Sequence, residues 1–508
     1  MQRRKTLPLT LLRILCTLVI AVLPLLLPAG MGSAEAKDRR LHPALEEVVR
    51  RHPDALVDVI VQKTKRTTGP DDEARKAGGK LTRALPLVNA FAARLPAKAV
   101  ERLAEADGVR YVSLDAPLRV AAVDTSALVN TYDAAINAPA VWNGAGGFTG
   151  RGVSVAVIDT GVTPHPDLGS RIVANVNLIN STSPATDDNG HGTHVAGIIA
   201  GNGAVSGGRY LGIAPEAQIV NIKVADAQGM AYTSAVIDAL QWAVAYKATY
   251  NIRVVNLSLI GSVAESYLTS PLCAAVEAAW FQGLVVVVAA GNGGADTALY
   301  PPATDPFAIS VGAPDTNVSG GTSDDLMPTW SAYGVTQDGF LKPDVVAPGR
   351  RIVSLNAGSL TTIALSHPER IVERNYLLLS GTSMAAPMVA GLAALAFQAH
   401  PTWTPDQFKW VVLQTARPFA LPGTGSGYAD AQAVVGFSAS PGLANQGLMP
   451  NSSIDPATGL IAGTSATWSS ATWSSATWTS ATRSSSSGTG STSTTLNFSP
   501  AYDPYALD

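Results

Sequence analysis

From Gly152 onward the chain carries short, almost wholly apolar runs, each closed by a polar or glycine-rich turn. They are Val153–Ile158, Gln218–Val224, Arg253–Leu259, Leu284–Ala290 and Phe307–Val311. Between and after them, apolar residues three and four apart predict helices over Gly192–Gly201, Thr233–Tyr246, Leu272–Phe281, Met384–Phe397 and Pro405–Ala416. A strand with no polar face must be covered on both sides, and alternating strands and helices supply that cover. The expectation is an α/β domain on a doubly wound parallel sheet. In such sheets functional groups collect at the carboxyl ends of strands and the N-termini of helices. Four residues fall there: Asp159, Asn292, His191 and Ser383.

Ser383 lies in GTSMAAPMVAG, Gly381–Gly391, ahead of a helix so apolar that it must be buried on most sides. Pro387 sits in its first turn, where proline is tolerated. A helix N-terminus favours a developing anion, so Ser383 is either a nucleophile or a simple cap. His191 and His194, three apart in NGHGTHVAG, have the spacing of metal ligands. A structural metal site needs more His or Cys than this stretch offers, so no metal is expected there. Asp159, ending VSVAVID, fits a turn cap or a ligand-binding carboxylate. Asn292, in AAGNGG, fits a turn or an amide donor aimed into a cleft.

Taken together, DTG, NGHGTHVAG, AAGN and GTSMAAP, in that order, resemble the subtilisin-like serine peptidases (S8 family), whose nucleophile follows its acid and base in the order Asp, His, Ser. HPDL at His165–Leu168, LGIAPEA at Leu211–Ala217 and KPDVVAPG at Lys342–Gly349 extend the resemblance over about Val123–Val434. It implies Ser383 as nucleophile, His191 as general base, Asp159 as orienter of the imidazole, and the Asn292 amide with the Ser383 N–H as oxyanion donors. His194 is then structural. It further implies that an extended protein or peptide substrate pairs with the strand after Asn-x-Ser-Leu, here Ser258, Leu259, Ile260 and Gly261. Ile260 stands where the family usually has glycine, and Leu299 aligns with the bottom of the pocket for the residue before the scissile bond (P1). Both imply small or medium apolar P1 side chains. The chemistry requires no cofactor. Calcium is common in the family, but the loop Asn202–Tyr210 has no carboxylate, and Asp167 alone does not make a site.

The flanks read differently. Residues 1–36 have the form of a secretory signal: Arg3, Arg4 and Lys5, an apolar stretch, and Ala34-Glu35-Ala36 for cleavage after Ala36. A retained anchor is the rival reading, opposed by Arg13, Pro24 and the Ala-x-Ala site. Secretion leaves Cys273 without an intrachain partner, since Cys16 is the only other cysteine. Residues 37–120 predict a small α+β ferredoxin-like unit. It has strands at Ala55–Gln62 and Val109–Leu114, a strand pair within Leu85–Leu95, a helix at Pro96–Ala106, and a helix or loop at Asp71–Lys80. Its end, NAFAARLPAKAVERLAEADGVRYVSLD, resembles the inhibitory (I9-type) propeptides of the same family, implying self-cleavage between about Leu114 and Thr125. The catalytic domain is expected over 121–438 and a low-complexity tail over 439–508. The tail repeats ATWSS, ATWSS, ATWTS, with Trp468, Trp473 and Trp478 five apart. It fits a disordered, glycosylated stalk or an attachment segment stacking on sugars or cell wall. A net charge of −3 gives no sign of a nucleic-acid partner.

Overall fold

The computed structural model describes residues 40–120, 131–317, 319 and 323–462. The signal-like segment and the Trp repeat lie outside them.

The N-terminal unit comprises α1 (Pro43–Arg51), β1 (Leu56–Lys63), α2 (Gly69–Lys76), β2 (Lys80–Leu85), β3 (Ala90–Pro96), α3 (Val100–Glu105) and β4 (Val109–Leu114). Its antiparallel sheet has the order β2-β3-β1-β4, a ferredoxin-like arrangement. The segment read as helix or loop is the helix α2, with Pro70 in its first turn, Asp71 and Asp72 at its start, and Arg75 and Lys76 at its end. The strand pair begins at Lys80 rather than Leu85, because β2 is an edge strand whose residues are mostly exposed or half-buried. Both faces of the sheet are covered. Val59, Val61, Phe91 and Leu95 pack on the unit's own helices. Ile60, Leu85, Leu87 and Ala92 belong to the core of the following domain. The unit therefore completes its hydrophobic burial only by docking.

After β5 (Pro117–Val120) come β6 (Ser154–Asp159), β7 (Ile172–Asn177), α4 (His191–Ala200), β8 (Gln218–Lys223), β9 (Met230–Tyr232), α5 (Thr233–Tyr250), β10 (Ile252–Leu257), β11 (Leu259–Gly261) and α6 (Pro271–Phe281). Next are β12 (Val285–Ala289), β13 (Ile309–Gly312), β14 (Val345–Val346), β15 (Ile352–Leu355), α7 (Thr362–Ser366), β16 (Tyr376–Leu379), α8 (Thr382–Ala399) and α9 (Pro405–Thr415). Seven strands form one parallel sheet in the order β14-β13-β12-β10-β6-β8-β7. Helices cover both of its faces: α4 packs with α8, and α5 with α6. β6 and β12 are buried at every position, as unbroken apolar strands must be. In α8, every residue from Thr382 to Phe397 is buried.

The folded chain continues past the boundary expected at residue 438. The Tyr267 hydroxyl donates to the Met449 carbonyl at 2.8 Å, and the Asn451 N–H donates to Glu277 Oε2 at 2.7 Å. A small hairpin, β17 (Ile454–Asp455) and β18 (Leu460–Ile461), follows. Polar bonds rather than apolar periodicity hold this stretch, so a reading by pattern misses it.

Candidate active site

β6 delivers Asp159 at its carboxyl end and α4 begins with His191, so two residues far apart in sequence meet. His191 Nδ1 lies 2.8 Å from Asp159 Oδ1, and both side chains are fully buried. The same oxygen accepts the Thr160 N–H at 2.7 Å. The approach depends on Gly192: a Cβ there would lie 2.2 Å from the Gly161 carbonyl oxygen and 3.1 Å from Asp159 Cβ.

Ser383 enters from the first turn of α8. Its hydroxyl donates to the Ser258 carbonyl at 3.2 Å, and the Ser258 hydroxyl donates to the Ser383 carbonyl at 2.9 Å. The Asn256 amide donates to that Ser258 hydroxyl at 3.0 Å. His191 Nε2 is buried and takes no hydrogen bond. The Asp–His pair is thus assembled, while the serine hydroxyl is turned to β11's approach rather than to the imidazole.

Asn292 follows β12. Its Oδ1 accepts the N–H and the hydroxyl of Thr382, both at 3.0 Å. The carbonyl end is therefore pinned to the start of α8. The Thr382 hydroxyl in turn accepts the Gly291 N–H at 3.0 Å.

Beside these residues lies a three-stranded antiparallel sheet. β5, the end of the N-terminal unit, lies between β11 and β9 and is antiparallel to both. Val120 is opposite Leu259, Arg119 opposite Ile260, and Leu118 opposite Gly261. Ile260 projects over Gly291: its Cδ1 lies 2.9 Å from where a Cβ on Gly291 would stand. Gly291 also has φ +106°, so glycine is required there twice over. Leu299 is half-buried on the loop after Asn292, with its carbonyl accepting Gln337 Nε2 at 2.7 Å.

A sequence profile described as the subtilase family matches residues 150–447. The chain belongs to the subtilase family. Serine protease AprX of Bacillus subtilis (strain 168) is 36% identical over 357 residues, covering 69% of this chain and 76% of that protein. Subtilisin BL of Lederbergia lenta is 37% identical over 300 residues, covering 59% of this chain and 95% of its own. In fold, the subtilase matches fervidolysin from Fervidobacterium pennivorans with a TM-score of 0.60 at 24% identity, over 77% of this chain and 62% of that one. The protein is a serine endopeptidase acting on protein or peptide substrates.

Several supporting residues of this subtilase escaped the sequence reading. Asp187 sits just before α4 and accepts the Thr160 hydroxyl (2.8 Å), the N–H groups of Asn189 (3.1 Å) and Gly190 (2.7 Å) on one oxygen, and the Thr193 N–H (2.8 Å) on the other. Burial raises its pKa against those donors. Lys223, ending β8, donates to the Thr160 and Thr186 carbonyls at 2.9 and 2.7 Å, bracing the same turn. His194 points away from the site, its Nε2 within 3.1 Å of the Ile352 carbonyl and 2.9 Å of Leu377's. Burial pushes its pKa down to about 3, which keeps it neutral.

Asp167 and Arg171 brace the loop Asn202–Tyr210 and its neighbours. Asp167 Oδ1 accepts the Val205 N–H and Oδ2 accepts the Tyr376 hydroxyl, both at 2.7 Å. The Arg171 guanidinium takes the carbonyls of Asp167 (2.5 Å), Ala200 (2.6 Å) and Ala217 (3.0 Å). Among the described residues no cluster of three or more His, Cys, Asp or Glu converges to hold a metal.

Proposed function

We propose that this subtilase is exported as a precursor, cuts itself free, and then hydrolyses peptide bonds after small or medium apolar residues. In this reading residues 37–120 are its intramolecular inhibitor. The observation that carries it is β5, an extended strand paired on both edges by β11 and β9 and running towards Ser383. This is β-augmentation, in which main-chain bonds hold the peptide and side chains select it.

Asp159, His191, Ser383 and Asn292 take the roles their family motifs imply. The Ser383 hydroxyl swings from the Ser258 carbonyl to His191 Nε2, which is buried and takes no other hydrogen bond. Nε2 takes the proton as Oγ adds to the scissile carbonyl. The 2.8 Å contact to Asp159 supports the imidazolium so formed. The carbonyl oxygen, now an anion, is met by the Asn292 amide and the Ser383 N–H at the positive end of α8. His191 returns the proton to the leaving amine, and the acyl-enzyme is hydrolysed by water activated in the same way.

Inhibition by the N-terminal unit is supported by contacts around β5. Asp115 accepts the Ser234 N–H at 2.9 Å and its hydroxyl at 2.6 Å, capping the first turn of α5. Arg83 pairs with the buried Asp238 at 2.5 Å, and Gln241 Oε1 accepts the Leu87 N–H at 2.8 Å. Preference for small P1 side chains is supported by Ile260 leaning over Gly291. The test is labelling of the exported protein with a fluorophosphonate. Wild type is expected to be shortened and labelled, and Ser383→Ala full-length and unlabelled. Folded, shortened wild type that does not label overturns the reading.

A further inference from the structure

On the reading of Ile260 and Leu299 given above, two segments flank the P1 slot. One is the segment that continues β11 towards α6, residues 261–267; the other is the loop after Asn292, residues 293–301. They touch each other through main-chain bonds, Gly261 N–H to the Pro301 carbonyl at 2.7 Å and Glu265 N–H to the Leu299 carbonyl at 3.4 Å. The second bond is at the long end of the hydrogen-bond range, so the pair is weakly joined there.

A hairpin reaches across both walls. Gly334–Val335 pairs with Leu341–Lys342, and its tip carries Gln337 and Asp338. Gln337 Nε2 donates to the Leu299 carbonyl at 2.7 Å, the shorter of the two bonds that oxygen accepts. Asp338 accepts from the other wall, taking the Ser266 hydroxyl at 2.5 Å on Oδ1 and the Tyr267 N–H at 3.0 Å on Oδ2. Phe340 stacks edge-on against Tyr267, ring centroids 5.6 Å apart. The root of the hairpin is tied to the loop of Asn292, with Tyr333 N–H donating to the Gly294 carbonyl at 3.2 Å and Ala332 N–H to the Gly291 carbonyl at 2.9 Å. The hairpin is therefore anchored at the oxyanion end, and its two adjacent tip residues grip opposite walls.

We propose that Gln337 and Asp338 are positioning residues that set the width of the P1 slot, acting as a clip on its far end. Neither touches the reacting atoms. Their effect is on which side chain the slot admits, because a carboxylate bound bidentately to one wall and an amide bound to the other fix the spacing between them. Releasing either hold lets the walls part and admits larger P1 groups. The inference rests on the reading of Ile260 and Leu299 as lining that slot.

The experiment compares wild type, Asp338→Ala, Asp338→Asn and Gln337→Ala in the full precursor after self-maturation. Each enzyme is counted by fluorophosphonate titration and assayed on a peptide series differing only at P1. The ratio of kcat/KM for Phe over Ala at P1 is expected to rise by about tenfold in Asp338→Ala, through KM as well as kcat, and less in Asp338→Asn, which keeps one acceptor. Gln337 is exposed, so its variant tests the clip even where Asp338→Ala fails to accumulate. A ratio within about twofold of wild type in the variants that accumulate overturns the clip, whatever their melting temperatures do. Wild type that fails to titrate overturns the proposed roles of Ser383 and His191 instead, a separate outcome.

Discussion

Ser258 and Ser383 hold each other across the cleft, the hydroxyl of each bonded to the carbonyl of the other at 2.9 and 3.2 Å. The shorter bond fastens the start of α8 to the approach of β11. The longer one parks the nucleophile. Ser258→Ala removes the fastening and leaves the buried Asn256 amide without its acceptor. A loss of about 1–3 kcal/mol is expected in denaturant unfolding of the mature enzyme, together with a fall in kcat. Unchanged stability would mean that the pair does not tie the two elements.

Asn292 has two tasks that separate by substitution. Asn292→Ala deletes the oxyanion donor and also the acceptor for both Thr382 donors. It is expected to lower kcat by about 10²–10³-fold, the range seen for this kind of donor in a subtilisin, with some loss of stability. Asn292→Asp retains an acceptor for Thr382 but sets a negative charge against the developing anion. Its kcat should fall at least as far while stability is largely kept. Equal stability loss in both variants would argue that the asparagine serves packing alone.

The register of β5 predicts the maturation point. Val120 is opposite Leu259, and the next position along β11's approach is Ser258, whose carbonyl now holds the nucleophile. Residues 121–130 lie outside the described structure. Cleavage just after the paired stretch, between Ala121 and Ala122, is the expected outcome and falls inside the window of Leu114–Thr125. Edman or mass-spectrometric reading of the mature N-terminus is expected to begin at Ala122. A start beyond Thr125 would show that β5 does not bind as the substrate does.

The parallel sheet was legible because each buried strand is a continuous apolar run, and Asp159 closes one of them. β7 was not, since Ile172–Asn177 is a half-exposed edge strand with two asparagines. Nor was α7, five residues long with little apolar pattern. The bond between Asp159 and His191 is a product of topology: β6 and the start of α4 come together only when the sheet forms. Asp187 and Lys223 had no signal at all, because a buried polar residue declares its role only through partners that folding brings to it.

Ile260 is the substitution most able to change what the enzyme cuts. It leans over Gly291, filling space that glycine at 260 would open. Ile260→Gly is expected to raise kcat/KM for Phe or Tyr at P1 relative to Ala by about 10–100-fold, the scale set by a few methylenes of pocket volume. The main-chain pairing with β5 needs no side chain, so the absolute rate on Ala substrates should change little. A peptide-library profile dominated by Phe, Tyr or Arg in wild type would contradict the premise.

Release of the N-terminal unit is expected to depend on pH, with the sign set by two buried carboxyl groups at the junction. Glu265 lies beside His42, whose Nε2 is 3.9 Å from its Oε1, and faces Tyr111 of β4. Burial pushes Glu265 up to about 7. Asp115, with Arg83 and Asp58 as its charged neighbours, is pushed up to about 6, burial outweighing its bonds to Ser234. Both hold their protons more tightly docked than released, so dissociation sheds protons and becomes easier as pH rises from about 4 to 7. Each group contributes up to about 1.4 kcal/mol per pH unit in that window. His42 works the other way: burial lowers its pKa, so its contribution to docking is lost as pH falls below its ordinary value. With Glu265 at about 7, most of its contribution is lost between about pH 5.5 and 8, and docking is expected to be tighter at about pH 5.5 than at about pH 8. The measurement is the lag before activity in freshly self-cleaved enzyme across that range. The lag should shorten with rising pH, and Glu265→Gln should flatten the trend. A lag that shortens on acidification would put His42, not the carboxyls, in control.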